Sequence, residues 1–219
     1  MTRPAEQSAE LVRRLEQLGH EVIVCPLIAV EPIGPPVVDA SGHDWLVVTS
    51  VNGARELGRR LQGRARMTAA VGPGTADALA AEGLEPDLVP EVSTQEGLLE
   101  AMPRPAGRVL LAAAEDARRL LVQELDADFV PLYRTRELRP AAFPDADLVV
   151  LASPSAARAY AALRRAAPSV TIGPQTTAAA QAAGTAVVAE AWPHDLDGLA
   201  AAVGLAAAES PGAKRPRAQ

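Results

Sequence analysis

Asp44-Trp-Leu-Val-Val-Thr-Ser50 and Asp147-Leu-Val-Val-Leu-Ala-Ser153 decide the fold, because each is an acidic residue, an unbroken apolar run and then a hydroxyl, and the residues after them match too. Asn52, Ala54 and Arg55 fall against Ser155, Ala157 and Arg158. Further on, Val71-Gly-Pro-Gly-Thr75 parallels Ile172-Gly-Pro-Gln-Thr176, with Gly83 and Gly184 at equal distance beyond. A third block sets Thr94-Gln-Glu-Gly-Leu98 against Asp195-Leu-Asp-Gly-Leu199 in the same register. The chain therefore contains an internal repeat.

Each copy alternates a short apolar run, a Ser/Thr/Gly/Pro turn and a longer alanine- and leucine-rich amphipathic stretch, which predicts strand, helix, strand, helix, strand, helix. Strands alternating with helices imply an α/β fold with parallel sheets. A shorter strand–helix–strand pattern precedes each copy: Gly107 to Tyr133 (strand from Arg108, helix Glu115 to Leu125, strand Phe129 to Tyr133) resembles Thr2 to Leu27. The first of these lacks its opening strand. Met1-Thr2-Arg3-Pro4 stands where a strand like Val109-Leu110-Leu111 should already be ending, so that strand is expected ahead of Met1, and neighbouring strands are expected to lack hydrogen-bond partners.

Glu31-Pro-Ile-Gly-Pro-Pro36 and Arg136 to Pro144 carry proline without apolar periodicity and are expected as linkers. They bracket a central block of about 100 residues, a usual domain size. Two divisions are open, into consecutive domains or into a central domain inserted in one made from both chain ends. The linkers favour the second: residues 1–33 with 143–204, an inserted domain over 38–136, and a disordered tail over 205–219.

The 219 residues are 48% hydrophobic with a net charge of −6, which disfavours a broad attraction to nucleic acid. No apolar run reaches the roughly 20 residues that span a bilayer, nor is there a basic then apolar leader, so a cytoplasmic protein is expected. Lys214 is the only lysine, which argues against Schiff-base or Walker-type chemistry. His20, His43, His194 and the single Cys25 match no metal-ligand spacing. Cys25 is expected as a buried strand residue, and Trp45 and Trp192 as core or hinge packing. Gly72-Pro-Gly74 lacks the third glycine of a dinucleotide fingerprint, with Asp77 in its place.

The turns at the carboxyl ends of parallel strands are where open α/β sheets hold ligands. Four are rich in hydroxyls and glycine: Thr49-Ser-Val-Asn-Gly53, Val71-Gly-Pro-Gly-Thr75, Ser153-Pro-Ser155 and Ile172-Gly-Pro-Gln-Thr-Thr177. Any one of Ser50, Thr75, Ser153 or Thr176 alone is more simply a helix N-cap, but four such turns together favour a binding site. Tyr133 is by default a half-buried packing residue, and near a cleft a candidate proton donor. Glu96 and Asp197 open helices and suit the helix dipole.

In order and spacing, these residues resemble the uroporphyrinogen-III synthases up to about Val203. The likeness runs through Thr2-Arg3-Pro4, Gly19, Pro26-Leu27-Ile28, Asp44 to Ser50 with Asn52, Val71-Gly72, Thr75-Ala76, Gly83 and Glu96-Gly97-Leu98. It continues through Gly107 to Leu110, Tyr133-Arg134-Thr135, Ser153-Pro154-Ser155, Ile172-Gly173, Thr176, Gly184 and Gly198-Leu199. The resemblance implies two flavodoxin-like domains joined by a two-stranded linker, with the active-site cleft between them. It implies a cofactor-free, monomeric lyase of tetrapyrrole (heme) biosynthesis. Hydroxymethylbilane would lose its terminal hydroxyl, invert ring D through a spiro intermediate and close to uroporphyrinogen III. It places Arg3, Thr49, Ser50, Asn52, Gly72, Thr75, Ser153, Ser155, Gly173, Thr176 and Thr177 among substrate-binding positions, and Tyr133 as the acid for the departing hydroxyl. Ala112-Ala113-Ala114 would fall in a turn where the family often carries arginine or glycine. A tetrapyrrole-binding or regulatory homologue without turnover is the alternative, and a bilobed solute-binding protein is disfavoured by the missing secretion signal.

Overall fold

The computed structural model describes residues 1–4 and 8–209, so expectations for Lys214 and most of the tail lie outside the described residues. In chain order the first elements are α1 (Ala9–Gln17), β1 (Ile28–Pro32), β2 (Val38–Asp39), β3 (Trp45–Val48), α2 (Val51–Gly58), β4 (Leu61–Gln62), β5 (Met67–Ala70), α3 (Pro73–Ala81) and α4 (Gln95–Ala101). Then come β6 (Val109–Ala114), α5 (Leu120–Leu125), β7 (Asp128–Glu137), β8 (Val149–Leu151), α6 (Pro154–Ala162), β9 (Ser169–Thr171), α7 (Pro174–Ala182), β10 (Val187–Glu190) and α8 (Leu196–Glu209). Two compact units emerge: Val30–Thr135, and Met1–Ala29 together with Arg136–Gln219. Among the described residues no helix is long and apolar enough to cross a membrane.

The unit over Val30–Thr135 is built on a sheet of order β1-β7-β6-β3-β5. β3 lies parallel to both β5 and β6, and β6 parallel to β7. Every residue of β3 and all but the last of β6 are buried, as expected of strands covered on both faces. Leu57 of α2 and Leu79 of α3 pack on one face with Leu46, Val48 and Leu110; Leu98 of α4 and Leu121 of α5 cover the other with Val47, Val109 and Leu111. The third strand of the repeat shrinks here to one bridge, Ala69 to Leu88. β2 and β4 form a small parallel pair that the apolar pattern does not announce.

Both linkers are partly strand. Ile33 N–H donates to Leu132 O at 3.0 Å, and Leu138 N–H to Leu27 O at 2.8 Å, the pattern of an antiparallel pair. β7 thus runs through Arg134 to Glu137 rather than ending at Tyr133. Ala112-Ala113-Ala114 are strand residues in β6 rather than a turn, with Ala114 opposite Tyr133.

In the other unit β8 is parallel to β9, and β9 to β10. Tyr160 of α6 and Ala180 of α7 pack against Leu27 and Leu151, while α1 and α8 enclose Val150 and Val170 with Leu11, Leu15, Leu199 and Val203. Helix α8 continues to Glu209 with Ala206 buried, so residues 205–209 are helical rather than disordered; the alanine-rich run carries strong helix propensity. Cys25 is buried but outside any named strand, and its N–H donates to Met1 O at 2.9 Å. Trp45 is in the core, whereas Trp192 is 80% exposed, because the chain leaves β10 at Ala191 and turns outward. The repeat extends to helix ends. Gly83 and Gly184 share a φ of +78°, a left-handed position that lets Leu84 and Thr185 close the ends of α3 and α7 by bonds to Leu79 O and Ala180 O.

Candidate functional site

In the unit over Val30–Thr135, β3 delivers Thr49 and Ser50 at its carboxyl end. Ser50 is the N-cap of α2, its Oγ accepting from Gly53 N–H at 3.0 Å. The same Oγ lies 2.9 Å from the Tyr133 hydroxyl. Asn52 also hydrogen-bonds to Tyr133, so Ser50, Asn52 and Tyr133 are brought together. Tyr133 is buried, and desolvation pushes its pKa above the ordinary tyrosine value, outweighing the opposing hydrogen bonds from Ser50 and Asn52. The phenol is therefore neutral at physiological pH and can donate a proton or hydrogen bond.

One support for Tyr133 is not evident in the sequence. Arg60 donates through Nη1 to Ile33 O and through Nη2 to Leu132 O, both at 2.6 Å, tying the chain after β1 to the residue before Tyr133. Glu56 holds the guanidinium at 3.2 Å, and the two side chains are only 12% and 9% exposed. Their i,i+4 spacing at the end of α2 was the available signal; the carbonyls they reach are distant in sequence and could not be read.

Gly72 caps α3 with its carbonyl, which accepts from Thr75 N–H and Ala76 N–H, and provides no side-chain cap. Gly173 does the same for α7, accepting from Thr176 N–H and Thr177 N–H. Pro73 and Pro174 sit at the first helical turns, where no donor is wasted. Thr75 and Thr176 are 5% and 2% exposed and pack into the helix starts; Gly72 and Gly173 are buried as well, and Pro73, Gly74, Pro174 and Gln175 are the residues these turns expose. Helix starts without a side-chain cap are suited to anions, since first-turn amides and the helix dipole point outward.

In the unit formed by the chain ends, Ser153 caps α6 by accepting from Ala156 N–H at 3.2 Å and lies 3.1 Å from Ser155 Oγ. Arg3 is half-buried beside Thr2, whose hydroxyl donates to Val150 O at 2.9 Å. Thr177 Oγ1 is engaged by Thr171 Oγ1 at 2.6 Å and by the Glu190 carboxylate. His194 Nε2 approaches that carboxylate at 3.5 Å, and its ring packs edge-on against Trp192. The two copies of the turns have thus diverged: one carries a buried phenol, the other a carboxylate with an imidazole. Among the described residues no cluster of three His, Cys, Asp or Glu side chains is arranged to hold a metal ion.

The family description "Uroporphyrinogen-III synthase HemD" matches residues 9–201. A uroporphyrinogen-III synthase of Synechococcus elongatus is 28% identical over 92% of this chain and 92% of its own. A putative uroporphyrinogen-III synthase of Methanothermobacter thermautotrophicus is 34% identical over 47% of this chain and 45% of its own. Among solved structures, a mutant uroporphyrinogen III synthase from the extremely thermophilic bacterium Thermus thermophilus aligns with a TM-score of 0.60 at 18% identity, covering 93% of this chain and 96% of that one. The Helicobacter pylori uroporphyrinogen-III synthetase aligns at 0.56 and 14% identity, covering 83% and 92%. These two likenesses concern the fold.

Proposed function

The chain belongs to the uroporphyrinogen-III synthase family, and on that premise we propose that it is a cyclising hydro-lyase that converts hydroxymethylbilane to uroporphyrinogen III. The terminal hydroxyl leaves as water, ring D inverts through a spiro intermediate, and the macrocycle closes. The observation that carries the reading is a family match spanning nearly all of the described residues.

Tyr133 donates the proton that turns the departing hydroxyl into water. The pyrrole nitrogen supplies the electron push, and the proton lost from the ring carbon on closure restores the balance. Ser50 and Asn52 orient the phenol, and Thr49, the residue before Ser50, adds a hydroxyl for the substrate. The glycine-led starts of α3 and α7, with Gly72, Thr75, Gly173, Thr176 and Thr177, offer backbone amides to substrate carboxylates, which reconciles an anionic substrate with a net charge of −6. Ser153, Ser155 and Arg3 add hydrogen bonds. The enzyme's main work is to hold a conformation in an intramolecular reaction.

Each chain carries both sets of turns, which supports action as a monomer, and a lone unpaired Cys25 suits a reducing cytoplasm. The reading is tested by the decay of freshly generated hydroxymethylbilane. Protein at micromolar concentration should speed its consumption manyfold over the spontaneous rate. Binding without acceleration would instead identify a tetrapyrrole-binding homologue.

A further inference from the structure

The repeat builds the same turn twice, and only one copy of it carries aromatic side chains. In the register that sets Thr94–Leu98 against Asp195–Leu199, Glu91, Val92 and Ser93 correspond to Trp192, Pro193 and His194. The backbone of the two turns is shared. Thr94 Oγ1 accepts from Gly97 N–H at 3.0 Å and Asp195 Oδ1 from Gly198 N–H at 2.8 Å, and a Cβ on either glycine would strike the carbonyl of Val92 or Pro193. Each turn also lays one side chain on the glycine that caps the preceding helix, Ser93 on Gly72 and His194 on Gly173. Because a serine fills that place in one copy, the scaffold needs neither an imidazole there nor an indole beside it.

Trp192, at 80%, is the most exposed large apolar side chain among the described residues. Its backbone is nonetheless pinned on both sides, by Ala191 N–H donating to Thr171 O at 2.8 Å and Asp195 N–H to Pro193 O at 2.9 Å. The indole meets His194 edge-on, with ring centroids 5.0 Å apart and planes at 88°. His194 is held in turn. Its Cγ and Cδ2 rest on Gly173, and Nε2 faces Glu190 Oε1 at 3.5 Å. The other Glu190 oxygen accepts from Thr177, whose Oγ1 lies 2.6 Å from Thr171 Oγ1. A carboxylate only accepts, so Nε2 carries the ring proton, and in the neutral imidazole Nδ1 is left as an acceptor. Two perpendicular rings thus form an open corner with one apolar wall and one wall that bears an acceptor.

We propose that this corner is a subsite for one pyrrole ring of the substrate, which stacks on Trp192 and donates its N–H to Nδ1 of His194. The proposal rests on the tetrapyrrole reading of the chain. A pyrrole matches the corner because it is flat, apolar on both faces and carries a single N–H donor in its plane. Stacking holds the ring equally before and during reaction, so the subsite acts on affinity and its loss falls on KM.

The test measures turnover of freshly generated hydroxymethylbilane and, separately, binding of uroporphyrin I, a stable octacarboxylate tetrapyrrole, by fluorescence anisotropy. Trp192→Ala should raise KM and the uroporphyrin Kd about tenfold, with kcat nearly unchanged and Tm little altered, because the indole is exposed. Trp192→Phe should restore most of both. His194→Ala should weaken binding too, and the double variant with Trp192→Ala should lose less than the product of the single effects, because both side chains act on one ring. Unchanged KM and Kd in Trp192→Ala would overturn the subsite and leave the synthase reading standing, as would a loss confined to kcat or fully independent effects of the two residues. A wild-type chain that neither turns over hydroxymethylbilane nor binds uroporphyrin I would sink both.

Discussion

Replacing Tyr133 by phenylalanine removes one oxygen from the buried cluster with Ser50 and Asn52 and nothing from the apolar packing of the ring. The hydroxyl lies 2.9 Å from Ser50 Oγ, which also accepts from Gly53 N–H, so the loss to the fold is the two hydrogen bonds with Ser50 and Asn52 while α2 keeps its cap. That costs about 1–3 kcal/mol of stability and shifts Tm by several degrees. The effect on rate is larger. A well-matched general acid contributes about 10²–10⁴-fold, but the Tyr133 pKa is raised, making it a weak acid, and the pyrrole nitrogen shares the work of expelling the hydroxyl. A kcat lowered about 10–100-fold with little change in KM is expected for Tyr133→Phe, measured by single-turnover consumption of hydroxymethylbilane. An unchanged kcat in a folded variant would refute the role of Tyr133 as proton donor. Because burial raises the pKa, the phenol's contribution to stability is intact below pH 10.0 and declines as pH rises above it. Tyr133→Phe should flatten that alkaline decline of Tm.

Arg60→Met should destabilise the chain by about 1–3 kcal/mol in urea titration, because it removes the hydrogen bonds to Ile33 O and Leu132 O and leaves the Glu56 carboxylate paired with Arg59 alone. A Cβ at residue 198 would overlap the Pro193 carbonyl, so Gly198→Ala should cost about 1–3 kcal/mol, whereas Gly204→Ala in the same helix meets nothing and should gain about 0.5–1 kcal/mol by thermal melting. Glu96, paired with Arg118 at 2.6 Å, has its pKa lowered from 4.5 to about 2. Its stabilising contribution is complete above pH 4.5 and fades as pH falls toward 2, so Glu96→Gln should remove that part of the acid slope of Tm.

The repeat was legible because β3 and β8 are buried on both faces and read as unbroken apolar runs, and because Gly83 and Gly184 mark the same helix stop. Ser50 and Ser153 were legible as caps for the same local reason. What sequence reasoning missed is non-local. The strand character of β1 and of the end of β7 depends on each pairing with the other across about 100 residues of chain, and proline at both linkers masks it. Arg60 gave no sign that it reaches Ile33 and Leu132. Trp192 is not in the core, the default place of a large aromatic, because the turn after β10 points it outward against His194. The family resemblance alone put Ala112 to Ala114 in a turn; their pairing in β6, between β3 and β7, makes them strand.

The central claim, that this chain steers hydroxymethylbilane to the inverted isomer, is tested most directly by product identity. Purified protein is supplied with freshly generated hydroxymethylbilane, the product is oxidised, and the type I and type III porphyrins are separated. Predominant type III is predicted, with its fraction rising with protein concentration. Type I alone, formed at the spontaneous rate at every protein concentration, would contradict the claim.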